Sequence, residues 1–382
     1  MKHLKKTILG VTLLTASGLA AADVNIGVIL SLTGPAASLG IPERNAVTLW
    51  PKEIGGHKVN VTVIDDTSDT TAATLAARKL TQENKVDVLI GPSLTPTSLA
   101  VLQVAGETQT PMVSMAGGGA IVAPQEGARK WAFKLPPSEE IQLSLIFDRM
   151  KKNKEKTLGI VGINNAYAQT FIDVVQRIAP ANGVQVGGIE RYNATDASFV
   201  SQALKLTASR PDAIFIVAQG TPAAMPQIEL ARRGYKGTIY QTQAIAGNDF
   251  LRVGGKEVEG TLLPASPLLV AEQLPANNPV KPVALNHTKV FEEKFGAGSR
   301  SLFSGTGWDA YLVVDNALAR VPKNLKPGTP EFRSALRDAL ESSKNVVLTH
   351  GVYNMSPTDH NGADIRSVVM MKIENGKWRY VD

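Results

Sequence analysis

Short apolar runs rich in β-branched residues alternate with helical patterns along the first part of this 382-residue chain. The apolar runs are VNIGVIL (24–30), KVNVTVIDD (58–66), VDVLI (86–90) and PMVSM (111–115), and the helix candidates between them are 41–53, 71–83 and 98–107. Strands that lack polar alternation, each followed by a helix, predict a parallel sheet that helices cover on both faces.

The same alternation starts again at residue 157. Its apolar runs are TLGIVG (157–162), GVQVGGIERY (183–192), DAIFIVA (212–218) and GTIYQTQ (237–243), with helix candidates at 166–182, 197–208 and 222–233. The fold class predicted from the two series is therefore α/β, with two doubly wound parallel-sheet lobes.

The last third of the chain contains helix candidates without strands of their own. TLLPASPLL (261–269) contains a connecting strand, and helix candidates at 282–296, 306–320 and 330–341 precede the β-rich segments SVVMMKIEN and KWRYVD. We expect three crossovers, which join lobe 1 (23–136 plus 266–345) to lobe 2 (137–265 plus 346–382) and form a hinge beside a cleft. The alternative is two independent doubly wound domains on one linker.

The first 22 residues have the pattern of a secretory signal. Lys2, Lys5 and Lys6 precede the short apolar run ILGVTLLTASGLA, and Ala20–Ala22 offers an A-x-A cleavage site before Asp23. We expect a periplasmic protein whose mature chain begins near Asp23. An uncleaved membrane anchor is the alternative.

Charge and cysteine content exclude several classes of function. The net charge of +6 falls to +3 without the signal, because that segment holds three lysines and no acid. The remaining basic residues are scattered, so the sequence predicts no nucleic-acid partner. The absence of cysteine excludes disulfides, thiolate metal sites, a cysteine nucleophile and a lipid anchor just after the signal. A monomer without a lipid anchor is expected.

No motif predicts catalysis, a cofactor or a metal. The histidines form no H-E-x-x-H pair, and G-x-S-x-G and G-x-x-x-x-G-K-[ST] are missing. Gly305-x-Gly307-x-x-Ala310 matches a dinucleotide fingerprint only superficially, because no strand of a βαβ unit precedes it. Asp65, Asp66 and Asp69 are read as a solvated turn, with a metal site as the alternative. The sequence therefore favours a binding protein over an enzyme.

The stretch GPSLTPTS (91–98) lies where ligands bind in parallel sheets, between the carboxyl end of a strand and the start of a helix. Free backbone N–H groups and the helix dipole favour an anion there. The hydroxyls of Thr95, Thr97 and Ser98 can donate to it. The alternative is that Thr95 or Thr97 only caps the helix.

Other strand ends of both lobes carry loops that we expect to converge on one cleft. On the first lobe these are LTGPAASLG (32–40) and SMAGGG (114–119), whose glycines allow a close backbone approach or only serve a turn. On the second lobe they are NNAY (164–167), AQGT (218–221) and QTQ (241–243).

Five motifs resemble the leucine/isoleucine/valine-binding protein family in their order and spacing. They are SLTGPAASLG, IDDTSDTTAATLAARKL, LIGPSLTPTSLAV, TPMVSMAG and FKLPPSEE. Members of that family are periplasmic substrate-binding components of ABC importers with the type I bilobal fold. The likeness covers essentially the whole mature chain, and it implies a small-molecule ligand and a membrane permease as partners.

The resemblance also implies individual roles on the first lobe. Thr95 stands where the family has a hydroxyl that binds the ligand carboxylate, and Ala116 matches a backbone contact to that carboxylate. The spacing from Gly91 to Ser114 resembles that of the amino-acid binders. Gly118 stands where a threonine often donates, and Leu39 stands where amino-acid binders often carry a tyrosine.

On the second lobe, Tyr167 matches a cleft tyrosine, but no glutamate occurs near Gln243, where amino-acid binders of the family pair the ligand ammonium. An uncompensated buried ammonium costs several kcal/mol. We therefore expect a carboxylate without an α-ammonium, of the benzoate or phenylpropanoid type. Asp309 is a possible replacement partner, although a position early in a helix is typical of a cap.

Ring contacts are predicted for Tyr167, Trp308, Phe303 and Met115, with ordinary core packing as the alternative for each. Gln219 and Gln243 can reach a distal hydroxyl. SGTGWDAYLVV (304–314) and THGVYNMSPTDHNG (349–362) also resemble the aromatic-acid subgroup of the family. The alternative functions are a binding protein for branched-chain or other amino acids and a ligand sensor for a membrane receptor.

Overall fold

The computed structural model describes residues 23–381, so the predicted signal segment lies outside the described residues. The first sheet has six strands in the order β2-β3-β1-β4-β5-β6, and all neighbours are parallel except β2 and β3. Its strands are β1 Val24–Leu30, β2 Glu53–Ile54, β3 His57–Asp65, β4 Val88–Ile90, β5 Met112–Ser114 and β6 Ala132–Lys134.

The second sheet has seven strands in the order β15-β14-β11-β10-β9-β7-β8. Strands β7 to β11 pair in parallel, whereas β14 is antiparallel to both β11 and β15. The strands are β7 Thr157–Ile163, β8 Gln185–Tyr192, β9 Ala213–Val217, β10 Thr238–Gln241, β11 Leu262–Ala265, β14 Val369–Glu374 and β15 Lys377–Tyr380, and a separate hairpin joins β12 Val346–Val347 to β13 Val352–Tyr353.

The helices cover both faces of the sheets. They are α1 Ala37–Val47, α2 Thr70–Arg78, α3 Thr95–Thr108, α4 Glu139–Asn153, α5 Ala166–Ile178, α6 Val200–Ala208, α7 Ala224–Arg232, α8 Asn248–Gly254, α9 Lys281–Phe295, α10 Leu302–Leu318 and α11 Pro330–Glu341. None of these helices within residues 23–381 combines the length and the apolar character that crossing a bilayer requires.

The late helices return to the first sheet. Side chains of β1 point alternately to its two faces: Ile26 and Val28 pack in one core with Val313 of α10 and Leu336 of α11, whereas Ile29 packs on the other face with α2 and α3. Together with the two parallel-dominated sheets, this packing confirms the predicted fold class of two lobes and three crossovers.

The third passage between the lobes comes late in the chain. Val346, Leu348, Tyr353 and Met355 pack in the core of the first lobe, and β14 then joins the second sheet. These contacts favour a last crossover between residues 355 and 369. We therefore propose that 346–355 belong with lobe 1, and the exact division of the chain stays a prediction.

The first helix differs from the prediction. The helix candidate at 41–53 is wrong at both ends, because α1 begins at Ala37, keeps Pro42 inside and ends at Val47. Glu53–Ile54 instead pair with His57–Lys58 across the turn at Gly55-Gly56, where both glycines have positive φ. Two consecutive residues with positive φ fit a two-residue hairpin, which explains the strand.

Candidate ligand-binding site

The loop that follows β4 begins at a position that only glycine fits. Gly91 has a φ of +88°, and a Cβ atom there would lie 2.1 Å from the carbonyl oxygen of Ile29 in β1. The loop therefore leaves the sheet directly against its neighbouring strand, and α3 starts at Thr95.

Three of the four hydroxyls in GPSLTPTS hold the first lobe together. Ser93 Oγ donates to Glu43 Oε2 at 2.5 Å, Thr97 Oγ1 donates to the Leu94 carbonyl at 3.0 Å, and Ser98 Oγ lies 2.8 Å from Ser114 Oγ. The N-cap position of α3 is Leu94, which offers no capping side chain. The hydroxyl of Thr95 is thus neither a cap nor part of these three contacts.

Thr95 faces the glycine loop that follows β5. Its Oγ1 accepts the N–H of Gly118 at 3.1 Å. A hydroxyl has one donor and two acceptor positions, so accepting this bond leaves the proton of Thr95 available to an anion. A Cβ atom at Gly118 would lie 2.4 Å from Thr95 Cγ2. A side chain at Gly118 would therefore clash with Thr95.

The predicted backbone donors are satisfied within the lobe. Ala116 N–H donates to Ser114 Oγ at 3.1 Å, just as Gly118 N–H donates to Thr95. A carboxylate that binds here would have to share these two donors with the hydroxyls. Met115 packs in the core of the first lobe, which agrees with the core-packing alternative for that residue.

Two side chains near the site carry opposite charges. Lys134 Nζ donates to the Gly117 carbonyl at 3.1 Å, and Glu139 Oε1 accepts the N–H of Gly119 at 2.7 Å. Both side chains are buried. Neither role is predicted above, although the lysine at the end of the apolar strand AFK and the acid at the start of the next helix are visible signals.

Tyr167 brings the second lobe to the same loop. It lies in the first turn of α5, whose N-cap Asn165 accepts the N–H of Ala168. A Cβ atom at Gly117 would lie 3.0 Å from Tyr167 Cε2, so the ring lies against the glycine loop across the cleft. Burial raises the pKa of Tyr167, and a hydrogen bond with Thr242 opposes that shift. The phenol is therefore a neutral donor.

A second contact between the lobes joins Leu39 to the loop that contains Gln219. A Cβ atom at Gly220 would lie 2.7 Å from Leu39 Cδ1 and 2.6 Å from Ser38 Oγ. Leu39 packs in the hydrophobic cluster of the second lobe, and Gln219 Oε1 accepts Asn165 Nδ2 at 3.2 Å. The two lobes thus meet at Leu39 and Gly220 as well as at Gly117 and Tyr167.

Gln243 is buried without full hydrogen bonding. Its side chain is 3% exposed, and its Oε1 has no partner among the residues that the structure describes. An unsatisfied buried acceptor costs about 1–3 kcal/mol, and a ligand donor would remove that cost. The neutral amide occupies the position where the family resemblance places a glutamate in amino-acid binders.

Trp308 and Asp309 lie in a different environment. The Trp308 ring centroid is 5.6 Å from that of His287 in α9 and 5.4 Å from that of Tyr311, so the structure does not bring it together with the loops above. Asp309 is fully buried, accepts His350 Nδ1 at 2.6 Å and also accepts the backbone N–H of Thr349. The hydrogen bonds of Asp309 therefore hold residues 349–350 in place, and Asp309 is not a counter-ion in the cleft.

Two cavities open between the lobes beside the Leu39–Gly220 contact. One has a volume of about 260 Å³ and is lined by Ala36, Leu94 and Gln219, among others. The other has a volume of about 120 Å³, with Gly220 and Phe303 in its wall. Within residues 23–381 no cluster of three or more His, Asp or Glu side chains could hold a metal.

Comparison with known proteins shows which family the chain belongs to. A model described as periplasmic binding protein matches residues 23–377. The Leu/Ile/Val-binding protein homolog 3 of Brucella melitensis is 23% identical over 250 residues, which cover 63% of this chain and 67% of the relative.

Solved structures match over almost the full chain. An extracellular ligand-binding receptor from Rhodopseudomonas palustris HaA2 is 41% identical with a TM-score of 0.91, covering 94% of this chain and 100% of the other. Two structures at 19% identity share the fold: LivJ of Streptococcus pneumoniae in complex with isoleucine (TM-score 0.79, 94% and 98% covered) and a solute-binding protein of Rhodopseudomonas palustris BisB5 in complex with 3,4-dihydroxybenzoic acid (TM-score 0.78, 94% and 96% covered). The family match and the shared bilobal fold place the chain among the type I periplasmic binding proteins, to which it belongs together with the Leu/Ile/Val-binding proteins.

Proposed function

We propose that this protein is the periplasmic solute-binding component of an ABC importer and captures a small aromatic carboxylate by closing its cleft. The observation that carries the proposal is a hydroxyl donor at the glycine loop together with a neutral amide at the position where amino-acid binders of the family carry a glutamate. Thr95 offers a hydroxyl proton beside Gly118, while Gln243 stands on the second lobe without a charge.

The absence of a charged side chain at Gln243 argues against an amino-acid ligand. A buried ammonium that lacks a paired anion costs several kcal/mol. The buried carboxylate of Glu139 accepts Gly119 N–H and its charge is offset by that of Lys134, so we do not expect it to pair with a ligand ammonium. A carboxylate without an ammonium has no such requirement.

The distal end of an aromatic acid suits the second lobe. The free Oε1 of Gln243 can accept a phenolic proton, and Phe303 lines the smaller cavity between the lobes. The BisB5 protein, crystallised with 3,4-dihydroxybenzoic acid, supports this ligand class as one that the fold accommodates.

Calorimetric titration with benzoate, 4-hydroxybenzoate, leucine and glutamate tests the proposal. We expect micromolar or tighter binding of an aromatic acid and no heat with the amino acids. Submicromolar binding of leucine without binding of either acid would contradict the aromatic-acid assignment.

Amino-acid binding is the second candidate, and the name of the Brucella relative favours it. In that case the ligand ammonium would be held by neutral acceptors such as Gln243 Oε1. The same titration separates the candidates, because 4-hydroxybenzoate and leucine share only the carboxylate.

Export and the monomeric state belong to the same proposal. The N-terminus of the protein recovered from a periplasmic extract should lie near Asp23, and light scattering should give the mass of one chain. Recovery of the full-length chain in the membrane fraction would instead favour the uncleaved anchor.

A further inference from the structure

Lys134 is a buried cation directly behind the glycine loop. It is the last residue of β6, its side chain is 1% exposed, and no other lysine or arginine within residues 23–381 is buried. A buried ammonium is costly unless its charge is compensated and its protons are bonded. The surroundings of Lys134 must therefore compensate its charge and bond its protons.

All three protons of the ammonium have carbonyl acceptors. Lys134 Nζ lies 3.1 Å from the Gly117 oxygen, 2.6 Å from the Pro136 oxygen and 3.3 Å from the Pro137 oxygen. The Gly117 carbonyl and the Gly118 N–H belong to one planar peptide unit and point in opposite directions. By holding that carbonyl, Lys134 turns the Gly118 N–H towards Thr95.

Glu139, which lies on the other lobe, binds the next peptide unit of the glycine loop. It lies in the first turn of α4, immediately after the first crossover, and its Oε1 accepts the N–H of Gly119 at 2.7 Å. Burial lowers the pKa of Lys134, and the carboxylate of Glu139 opposes that shift more than any other group does. The loop that faces the ligand thus lies between one positive and one negative side chain.

We propose that Lys134 and Glu139 are positioning residues that set the charge preference of this site. Lys134 orients the Gly118 N–H and stabilises a bound carboxylate through its charge, whereas Glu139 weakens the binding of negative charge. The inference rests on the proposed function, because it requires a ligand carboxylate at the glycine loop.

Benzoate and its neutral isostere benzamide test the charge effect by calorimetric titration of Lys134→Met and Glu139→Gln. Two unit charges several ångströms apart at an effective dielectric near 20 interact strongly enough to change affinity by about 30-fold. We expect Lys134→Met to weaken benzoate by about 30-fold and benzamide by less than about fivefold. Glu139→Gln, which keeps an acceptor for Gly119, should strengthen benzoate by about fivefold or more without affecting benzamide.

Matched controls use exposed residues of α4. Lys151→Met and Asp148→Asn remove one charge of each sign from the surface of that helix, where solvent screens them, and should change benzoate affinity by less than about twofold. Equal losses for benzoate and benzamide in Lys134→Met would show a purely structural role and overturn the proposal. If Lys134→Met does not fold, unchanged benzoate affinity in Glu139→Gln overturns it.

The positioning role of Lys134 and Glu139 can also be tested if the protein binds a different ligand. If the wild-type protein binds leucine and not benzoate, the aromatic-acid assignment fails, and leucine against leucinamide then replaces the probe pair. The positioning pair is supported if Lys134→Met weakens leucine binding and Glu139→Gln strengthens it while the affinity for leucinamide does not change. Equal changes in affinity for leucine and leucinamide would reject it.

Discussion

Thr95 combines two hydrogen-bonding tasks in one hydroxyl. It accepts the Gly118 N–H and can donate to the ligand. Because a hydrogen bond to a charged group contributes about 1.5–3 kcal/mol, Thr95→Val should weaken binding of the carboxylate by about 10- to 100-fold. Calorimetric titration with the best acid found in the screen measures this loss.

Two variants control for packing at this position. Thr95→Ser keeps the hydroxyl and should retain most of the affinity. Thr97→Val removes a hydroxyl of the same helical turn that bonds the Leu94 carbonyl and Asp66, so it should also retain most of the affinity. Equal binding by Thr95→Val and the wild type would remove Thr95 from the site.

Glu43 makes stability depend on pH. Burial raises its pKa well above the ordinary value, the hydrogen bond from Ser93 opposes the shift, and the nearby charge of Asp66 adds to it. The folded protein therefore keeps a proton that the unfolded chain releases near pH 4.3. The contribution of Glu43 to stability is therefore greatest below that pH and falls by up to about 1.4 kcal/mol per pH unit until the folded-state pKa is passed.

Urea denaturation between pH 5 and 8 tests this coupling. Glu43→Gln should flatten the decline and be more stable than the wild type at the upper end of the range, because the amide has no charge to bury. Glu83→Gln, which changes an exposed carboxylate, should follow the wild-type curve. Parallel curves for Glu43→Gln and the wild type would contradict the proposed coupling.

At the scale of the elements, the junction between β4 and α3 depends on Gly91. Gly91→Ala places a Cβ atom 2.1 Å from a backbone oxygen at a φ of +88°, and neither atom can move without shifting a strand. We expect a loss of about 3 kcal/mol in the free energy of unfolding, the sum of backbone strain and overpacking.

Gly183→Ala provides the matched measurement for Gly91→Ala. Gly183 has a φ of +70° but no atom within 4 Å of a Cβ position, so it isolates the strain from the clash. Its cost should be about 1 kcal/mol. Equal losses in the two variants would show that the approach to β1 contributes nothing.

For the whole molecule, closure depends on the contact between Gly117 and Tyr167. Gly117→Val adds a side chain where a Cβ alone would lie 3.0 Å from the tyrosine ring of the other lobe. Overpacking costs about 1–3 kcal/mol, so ligand affinity should fall by about 5- to 100-fold. By small-angle scattering, the ligand should reduce the radius of gyration of the wild type but not of Gly117→Val.

Gly187→Val in β8 is the control for this substitution. Its backbone is ordinary and its nearest neighbour would be 3.7 Å away, so closure should proceed as in the wild type. Ligand-dependent compaction of Gly117→Val would mean that closure does not require this contact.

The sequence predicts the order of strands and helices well because their periodicity is local. It also leads to Thr95 and Gly118, since strand ends of a parallel sheet share one edge. Other features have no local signal. The contact of Gly117 with Tyr167 arises only when the lobes meet, and one hydrogen bond of Lys134 connects a strand end to a loop 17 residues earlier in the chain. The wrong start of the first helix reflects a proline that the helix accommodates, and its wrong end reflects the hairpin at Gly55-Gly56.

The late segments of the chain have a consequence for biogenesis. Tyr353 and Met355 fill the interior of the first lobe, and β14 supplies the partner that β11 needs on its outer edge. A nascent polypeptide that has emerged only as far as residue 340 therefore holds two unfinished halves, each with apolar surface exposed. We expect such a chain to stay unfolded until nearly all of it has been synthesised, and the export proposed above would require that state.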